Sequence, residues 1–245
     1  MSEILLFTGA TTIAVLGFGF LLGLKHATDA DHLAAVGTIV SERKSLWSSA
    51  LIGGVWGLGH TISLFLAGIF VLLLDFQISE RTERILEFGV GIMLTLLGLN
   101  VIIKLFKGGK IHFHRHEHGA REHVHPHIHE AAREDAPHTH HGLEFSPRAL
   151  VIGMIHGLAG SAGLMLLVLP TIESKSVGLL YIVIFGIGSI GGMMLMSFLV
   201  GLPFHLTAGR FNRFNHILQS VAGLASIAFG LMIIYEKGVT EGLFG

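Results

Sequence analysis

The residue types best able to do chemistry are concentrated in one short run, Lys25-His26-Ala27-Thr28-Asp29-Ala30-Asp31-His32. The run lies inside an apolar stretch, and a charged residue at the centre of a membrane helix costs about 2.5 to 3.5 kcal/mol on insertion scales. That cost indicates a function for these side chains, and imidazole with carboxylate is a typical ligand set for a divalent transition metal. The alternative is that a first helix ends at Leu24 and the run lies in water.

Helical geometry limits how this run could bind an ion. With about 100° of rotation per residue, Asp29 and His32 follow His26 in steps of roughly 60°. Asp31 instead lies roughly 140° from His26, so a regular helix could not direct all four side chains at one ion. We therefore predict local unwinding here, as at the midplane sites of transporters.

The chain has no cysteine, so a metal must be held by histidine, carboxylate or backbone groups. Such ligands suit Ni(II), Co(II) or Zn(II), and the ligand type does not choose among them. Two further histidines, His60 and His156, occur in apolar segments, each beside glycines that allow close helix packing. A single membrane histidine can instead be a packing residue bonded to a backbone carbonyl. Packing explains the glycines but not the histidines, so we predict that both are metal ligands.

A polar segment from Lys107 to Glu144 holds 11 of the 17 histidines. In a solvated loop, histidines at this density are weak, exchangeable ligands that favour metal buffering over one fixed geometry. The alternative is a pH-sensitive linker without a metal role. The predicted buffering residues are His112, His114, His116, His118, His123, His125, His127, His129, His138, His140 and His141.

Composition places the rest of the chain in a bilayer. Of 245 residues, 51% are hydrophobic and 13% are charged, against about 25% charged in soluble proteins. A net charge of −1 argues against nucleic acid as a partner. The stretch Ile4 to Leu16 could extend the first helix, lie in the interface or form part of a seventh helix. Apolar runs predict six membrane segments, at residues 17–40, 47–74, 85–106, 147–170, 177–204 and 216–235.

The two halves of the chain resemble each other. Gly23-Leu24-Lys25-His26 parallels Gly153-Met154-Ile155-His156 at an offset of 130, and the run from Trp56 to His60 parallels Phe185 to Ser189 at 129. The third segments align at 132, with Gly91 on Gly223 and Gly98 on Gly230. The alternative is that glycine-rich membrane helices are alike in composition.

Three crossings per half would orient the second half oppositely, which is the inverted repeat common in secondary transporters, with the site near the midplane. We therefore predict an all-α, polytopic transmembrane bundle of six core helices in two inverted three-helix repeats. Its parts are residues 1–106, a His-rich loop at 107–146 and residues 147–245. The face that holds this loop carries 11 of the 16 Lys and Arg residues, so the positive-inside rule predicts a cytoplasmic loop.

The run from His26 to His32 resembles the H-x4-D-H signature of the nickel/cobalt transporter family, and Gly59-His60-Thr61 is similar to that family's second motif. With the glycine-rich runs at His156 and Phe185, the chain is most similar to the short, UreH-type (urease-accessory) nickel permeases. The resemblance implies that His26, Asp29, Asp31 and His32 take part in metal selection, with His60 on the adjacent helix. The chain departs from longer members, described with eight helices, in lacking a separate helix ahead of the motif.

We predict a non-enzymatic, multi-pass permease of the cytoplasmic (inner) membrane that moves nickel or cobalt, in the direction of uptake. The metal is then a substrate, no organic cofactor is expected, and the partners are the bilayer, the divalent ion and urease or hydrogenase maturation proteins. A nickel/cobalt efflux permease and a membrane-anchored metal buffer or sensor are alternatives. An intramembrane hydrolase using Ser161 or Ser189 with His60 or His156 is a third.

Overall fold

The protein is a bundle of membrane helices, seen in a computed structural model that describes residues 2–41, 43, 45–74, 79–107, 111–118, 121–128, 146–160, 172, 174–208 and 211–244. Along the sequence, two antiparallel strands, β1 (Ile111–His118) and β2 (Arg121–Ile128), separate the first four helices from the last three. The helices are α1 (Ser2–His26), α2 (Ala30–Val40), α3 (Leu46–Leu73), α4 (Glu80–Phe106), α5 (Pro147–Gly160), α6 (Lys175–Thr207) and α7 (Asn212–Tyr235), and a π-helix follows at Glu236–Thr240.

Several of these helices fit a bilayer. Helices α3, α4, α6 and the stretch Asn212–Thr240 are each long and apolar enough to cross it, and α1 with α2 passes the same test as a pair bent by 54°. Helix α5 is apolar but shorter. Large apolar side chains such as Leu66, Leu96 and Leu195 are exposed on the outside of the bundle. Lipid is the solvent in which such an exterior is stable, so the prediction of a multi-pass helical membrane protein is confirmed.

The helix boundaries follow from local capping. Helix α4 begins at Glu80 rather than at the predicted residue 85 because Ser79 caps it, accepting a hydrogen bond from the Thr82 amide at 3.2 Å. Two acidic residues in its first turn add to this, since they stabilise the positive end of the helix. Helix α1 is continuous from Ser2, so the stretch Ile4 to Leu16 extends the first helix. The predicted segment at 147–170 is α5 as far as Gly160, and its remainder lies outside the described residues.

The strands in the His-rich segment were not predicted. In β1 and β2, histidine alternates with other residues, and a period of two is the pattern of a strand. The ladder places His112 opposite His127, and His114 opposite His125. The all-α prediction therefore holds for the bundle, and an antiparallel hairpin adds to it.

Glycines let the two halves approach each other closely. A methyl group added at Gly23 would collide with the backbone oxygen of Phe185, and one added at Gly153 would collide with that of Trp56. Gly23 and Gly153 are equivalent positions of the sequence repeat, as are Trp56 and Phe185. The same contact is therefore made twice, with the halves exchanged.

Helices α4 and α7 repeat this exchange. A methyl group at Gly91 would lie 2.9 Å from the oxygen of Gly230, and one at Gly223 would lie 3.2 Å from the oxygen of Gly98. Because Gly91 aligns with Gly223 and Gly98 with Gly230, this interface also contains equivalent contacts in opposite directions.

Ion pairs join the start of α4 to the π-helix. The Glu87 carboxylate of α4 pairs with Lys237 of the π-helix at 2.9 Å. Arg84 donates to the backbone oxygen of Glu241 at 2.7 Å and also pairs with the Glu80 carboxylate at 3.0 Å. This end of the α4–α7 pair is thus held by charges as well as by glycine packing.

The substitution Gly98→Ala tests the glycine packing. A Cβ at Gly98 would collide with the backbone oxygen of Gly223, whereas one at Gly89, on the same helix, would have no atom of the described residues within 4 Å. We expect Gly98→Ala to destabilise the protein by ~1 to 3 kcal/mol, the usual cost of overpacking. Thermal unfolding in detergent should show a lower midpoint for Gly98→Ala and little change for Gly89→Ala. Equal midpoints for the two variants would contradict this packing.

Candidate metal site

The site is built on a break in the first membrane segment. Helix α1 ends at His26, where the Thr28 and Asp29 amides donate to the backbone oxygens of Lys25 and His26 at 2.8 and 3.1 Å. Helix α2 then begins at Ala30, with an extended Asp29 at its N-cap. The predicted local unwinding between His26 and His32 is confirmed, and it turns the chain so that both histidines can face the same interior.

Four imidazole rings meet inside the bundle. His26 is 2% exposed, and His32, His60 and His156 are each 0% exposed. The His32 ring lies between the others, with centroid distances of 4.4 Å to His26, 5.4 Å to His60 and 4.2 Å to His156. His26 and His156, which the sequence repeat aligns, both pack against the same His32 ring.

The two carboxylates of the run are bonded to ring nitrogens. His26 Nδ1 donates to Asp29 Oδ2 at 2.8 Å, and Lys25 lies 3.6 Å from the other oxygen of Asp29. Asp31 accepts from two histidines at once: His32 Nδ1 at 3.0 Å and His156 Nε2 at 2.8 Å. A carboxylate on the far nitrogen of a histidine fixes the tautomer and the direction of the ring, an arrangement that accompanies most metal-binding histidines.

Several buried ring nitrogens have no hydrogen-bond partner among the described residues. They are Nε2 of His26, Nε2 of His32, both nitrogens of His60 and Nδ1 of His156. A buried polar atom left unpaired costs about 1 to 3 kcal/mol, so an arrangement with several of them indicates a ligand. Neutral imidazole nitrogens are suited to bind a divalent transition metal.

Two groups of three residues could hold such an ion. The ligand atoms of His26, His32 and His60 lie within 4.8 Å of one another, and so do those of Asp31, His32 and His156. A metal lies about 2.0 to 2.1 Å from a histidine nitrogen, so small ring movements would close the first group around an ion. That group has unpaired nitrogens on all three residues. In the second group, both oxygens of Asp31 are already hydrogen-bonded.

Two aromatic residues that were not predicted to belong to the site enclose the histidines. The Trp56 ring lies 5.4 Å from His32 and 5.5 Å from His156, and the Phe185 ring lies 5.7 Å from His26. Trp56 precedes His60 by one helical turn and aligns with Phe185 in the repeat, which is the signal that could have identified both.

The other predicted serines and histidines lie in α6, in the hairpin or outside the described residues. Ser189 is fully buried in α6, with its amide beside Gly23. In the part of the chain that the structure describes, neither its hydroxyl nor the nitrogens of His60 have a hydrogen-bond partner. The geometry therefore shows no Ser189–His60 dyad. Ser161 lies outside the described residues, as do four loop histidines, His129, His138, His140 and His141. The other predicted loop histidines lie on β1 and β2: His112, His114, His116, His118, His123, His125 and His127.

Comparison with known proteins shows the family. The chain is 42% identical over 232 residues to the urease accessory protein UreH of Bacillus sp. (strain TB-90), a match that covers 95% of each chain. The chain belongs to the UreH family. The model of a membrane family described as the cytochrome C biogenesis protein transmembrane region also matches residues 55–232.

Two other relatives of this UreH-family chain are more distant. The high-affinity nickel transport protein of Cupriavidus necator (strain ATCC 17699) is 34% identical over 77 residues, which is 31% of this chain and 21% of that protein. The chloroplast protein FOR GROWTH AND FERTILITY 2 of Arabidopsis thaliana is 25% identical over 223 residues, covering 89% of this chain and 55% of that protein. No solved structure matches the chain. UreH and the nickel protein are named as accessory and transport proteins, in agreement with the prediction that this chain is not an enzyme.

The substitution His60→Ala tests the three-histidine group. The measurement uses a full-length variant in which the 11 loop histidines are replaced by glutamine, here called the loop-Gln protein, so that loop binding does not mask the site. We expect His60→Ala to weaken Ni(II) binding by more than the roughly 10- to 100-fold that loss of an outer-shell partner costs. Isothermal titration in detergent gives the affinity. His216→Ala, an exposed histidine on α7, is the control, and equal affinities in the two variants would contradict the site.

Proposed function

We propose that this protein is a transporter that moves Ni(II) or Co(II) across the cytoplasmic membrane, in the direction of uptake, by alternating access. The observation that carries the proposal is the group of buried His26, His32 and His60 rings at a break in a membrane helix, each with a nitrogen that has no partner among the described residues. Asp29, Asp31 and His156 complete the site. Broken membrane helices and midplane sites are the usual construction of secondary transporters.

Charge complementarity supports a divalent cation as the substrate. The site contains two carboxylates, Asp29 and Asp31, beside histidines that bind metal in the neutral form. A dication bound there would have its charge balanced within a few ångströms, which reduces the cost of holding it away from water. The nitrogen-rich ligand set favours nickel or cobalt over the hard cations magnesium and calcium, which prefer oxygen ligands.

The names of relatives point to the same substrate. One relative is a nickel transport protein, and UreH, which matches nearly the whole chain, is a urease accessory protein. We propose by extension that the imported metal supplies urease or hydrogenase maturation proteins. The His-rich loop faces the cytoplasm in this proposal, where it would buffer ions that have crossed.

The exchanged glycine contacts support an inverted repeat as the moving architecture. Gly23 contacts Phe185, and Gly153, its equivalent in the second half, contacts Trp56, which is the equivalent of Phe185 in the first half. Reciprocal contacts of this kind are those of a two-fold interface. In this proposal each half crosses the membrane three times, and the two halves therefore have opposite orientations. The histidines lie at this interface, where rocking of one half against the other would open the site first to one face and then to the other.

Flux into proteoliposomes tests the proposed function. We expect the wild-type protein to carry Ni(II) and Co(II) faster than Zn(II), and His32→Ala to lower nickel flux to the level of empty liposomes, because His32 is the central ring of the cluster. His216→Ala should retain wild-type flux. Normal nickel flux through a correctly reconstituted His32→Ala protein would remove the cluster from the mechanism.

The same assay separates transport from buffering. Replacement of residues 107–144 by a Gly/Ser linker of equal length removes the loop histidines but leaves the buried cluster. A transporter should show weakened but measurable nickel flux after this change. Complete loss of nickel handling, with the protein still inserted, would indicate a membrane-anchored buffer instead.

A further inference from the structure

Asp31 is the residue that links the two halves inside the site. It lies on α2, near the start of that helix, and is three-quarters buried. Its two carboxylate oxygens have different partners: Oδ1 accepts from His32 of the first half, and Oδ2 accepts from His156 on α5 of the second half. Asp29 differs, because it bonds only His26 among the histidines and shares its charge with Lys25.

We propose that Asp31 is a positioning residue rather than a metal ligand, and that with His156 it couples metal binding in the first half to the position of the second half. The metal is then held by His26, His32 and His60. This inference rests on the proposed transport function for its coupling step, although the assignment of ligands can be tested by binding alone.

The hydrogen bonds argue against direct coordination by Asp31. Each oxygen of Asp31 already accepts a hydrogen bond, at 3.0 or 2.8 Å, from a fully buried ring, so an ion bound to either oxygen would have to share it with an imidazole N–H. The three-histidine group needs no such sharing, since Nε2 of His26, Nε2 of His32 and both nitrogens of His60 have no hydrogen-bond partner among the described residues. Because His32 Nδ1 bonds to Asp31, His32 Nε2 is the nitrogen left to bind a metal. Orienting a metal-binding histidine in this way is the usual role of an outer-shell carboxylate.

The position of α5 explains how this bond could transmit binding. A methyl group at Gly153 would collide with the backbone oxygen of Trp56, and one at Gly157 would collide with that of His60. Helix α5 therefore lies directly against the His60 backbone while its His156 ring holds Asp31. A shift of α5 relative to α3 would change both the position of the His60 ligand and the bond that orients His32.

Variants at position 156 distinguish a positioning role from coordination. In the loop-Gln protein, His156→Ala removes the donor to Asp31, whereas His156→Gln keeps an amide N–H that can donate to the same oxygen. We expect His156→Ala to weaken Ni(II) binding about 10- to 100-fold, as for an outer-shell partner, and His156→Gln to restore most of that affinity. X-ray absorption of the nickel-loaded protein should count three imidazoles in the parent and in both variants.

A double-mutant cycle tests whether Asp31 and His156 act as a unit. Asp31→Asn should also weaken binding about 10- to 100-fold, and the Asp31→Asn/His156→Ala protein should bind no more weakly than the worse single variant, because residues in one network are not additive. Asp29→Asn should cost less than Asp31→Asn. A count that falls by one imidazole in His156→Ala, no rescue by His156→Gln, or multiplied losses in the double variant would overturn the positioning role.

The coupling step has its own measurement. At nickel concentrations that saturate each protein, flux through His156→Ala in proteoliposomes should fall at least about tenfold, with His156→Gln intermediate, since the link between the halves is lost while the ligands remain. Unchanged saturated flux in His156→Ala would overturn the coupling. An absence of flux in the wild-type protein, with nickel still bound by three imidazoles, would instead contradict the proposed function and leave the ligand assignment intact.

Discussion

The structure depends on how buried imidazole nitrogens are paired. Inside a bilayer no bulk water is available to a polar atom, so each ring nitrogen needs a protein partner or a bound ion. Asp29 accepts a hydrogen bond from one nitrogen of His26. Asp31 accepts one from His32 and another from His156. His26, His32 and His60 each keep a nitrogen without a partner among the described residues, and their ligand atoms lie within 4.8 Å of one another, so a single dication could bind all three. The break between α1 and α2 is what allows this division, because a continuous helix would turn Asp31 away from His26.

Close backbone packing makes the enclosed site possible. Helices α1 and α6, α3 and α5, and α4 and α7 approach each other through glycines, at distances where even a methyl group would collide with a neighbouring carbonyl. Packing of this kind replaces the hydrophobic driving force that lipid does not supply between membrane helices. It also allows the Trp56 and Phe185 rings to close around the histidines. The same contacts recur with the halves exchanged, so the site lies between two halves that pack against each other through equivalent residues.

Much of this arrangement could be predicted from the sequence, and the reasons are specific. The angular positions of His26, Asp29 and Asp31 on a helix predicted the unwinding. The sequence repeat, which aligns His156 with His26 at an offset of 130 residues, indicated His156 as a residue of the site. The hydrogen-bond partner of each ring nitrogen could not be predicted, because it depends on side-chain conformations and on contacts between residues far apart in the sequence. Asp31 and His156, for example, are 125 residues apart. Trp56 was missed because an apolar aromatic residue carries no signal of its own in an apolar segment. The hairpin was not predicted because the polar composition of this segment favours a loop. Its strand signal is the alternation of histidine with other residues along β1 and β2.

The central claim is that three imidazoles, from His26, His32 and His60, bind the transported ion. A structure of the full-length protein with Ni(II), determined with anomalous diffraction at the nickel edge, tests it most directly. We expect one strong peak about 2.0 to 2.1 Å from Nε2 of His26, Nε2 of His32 and one nitrogen of His60, the usual range for metal–imidazole bonds. We also expect Asp31 to remain hydrogen-bonded to His32 and His156. A peak bonded to Asp31 and His156 and distant from His26 and His60 would contradict the account.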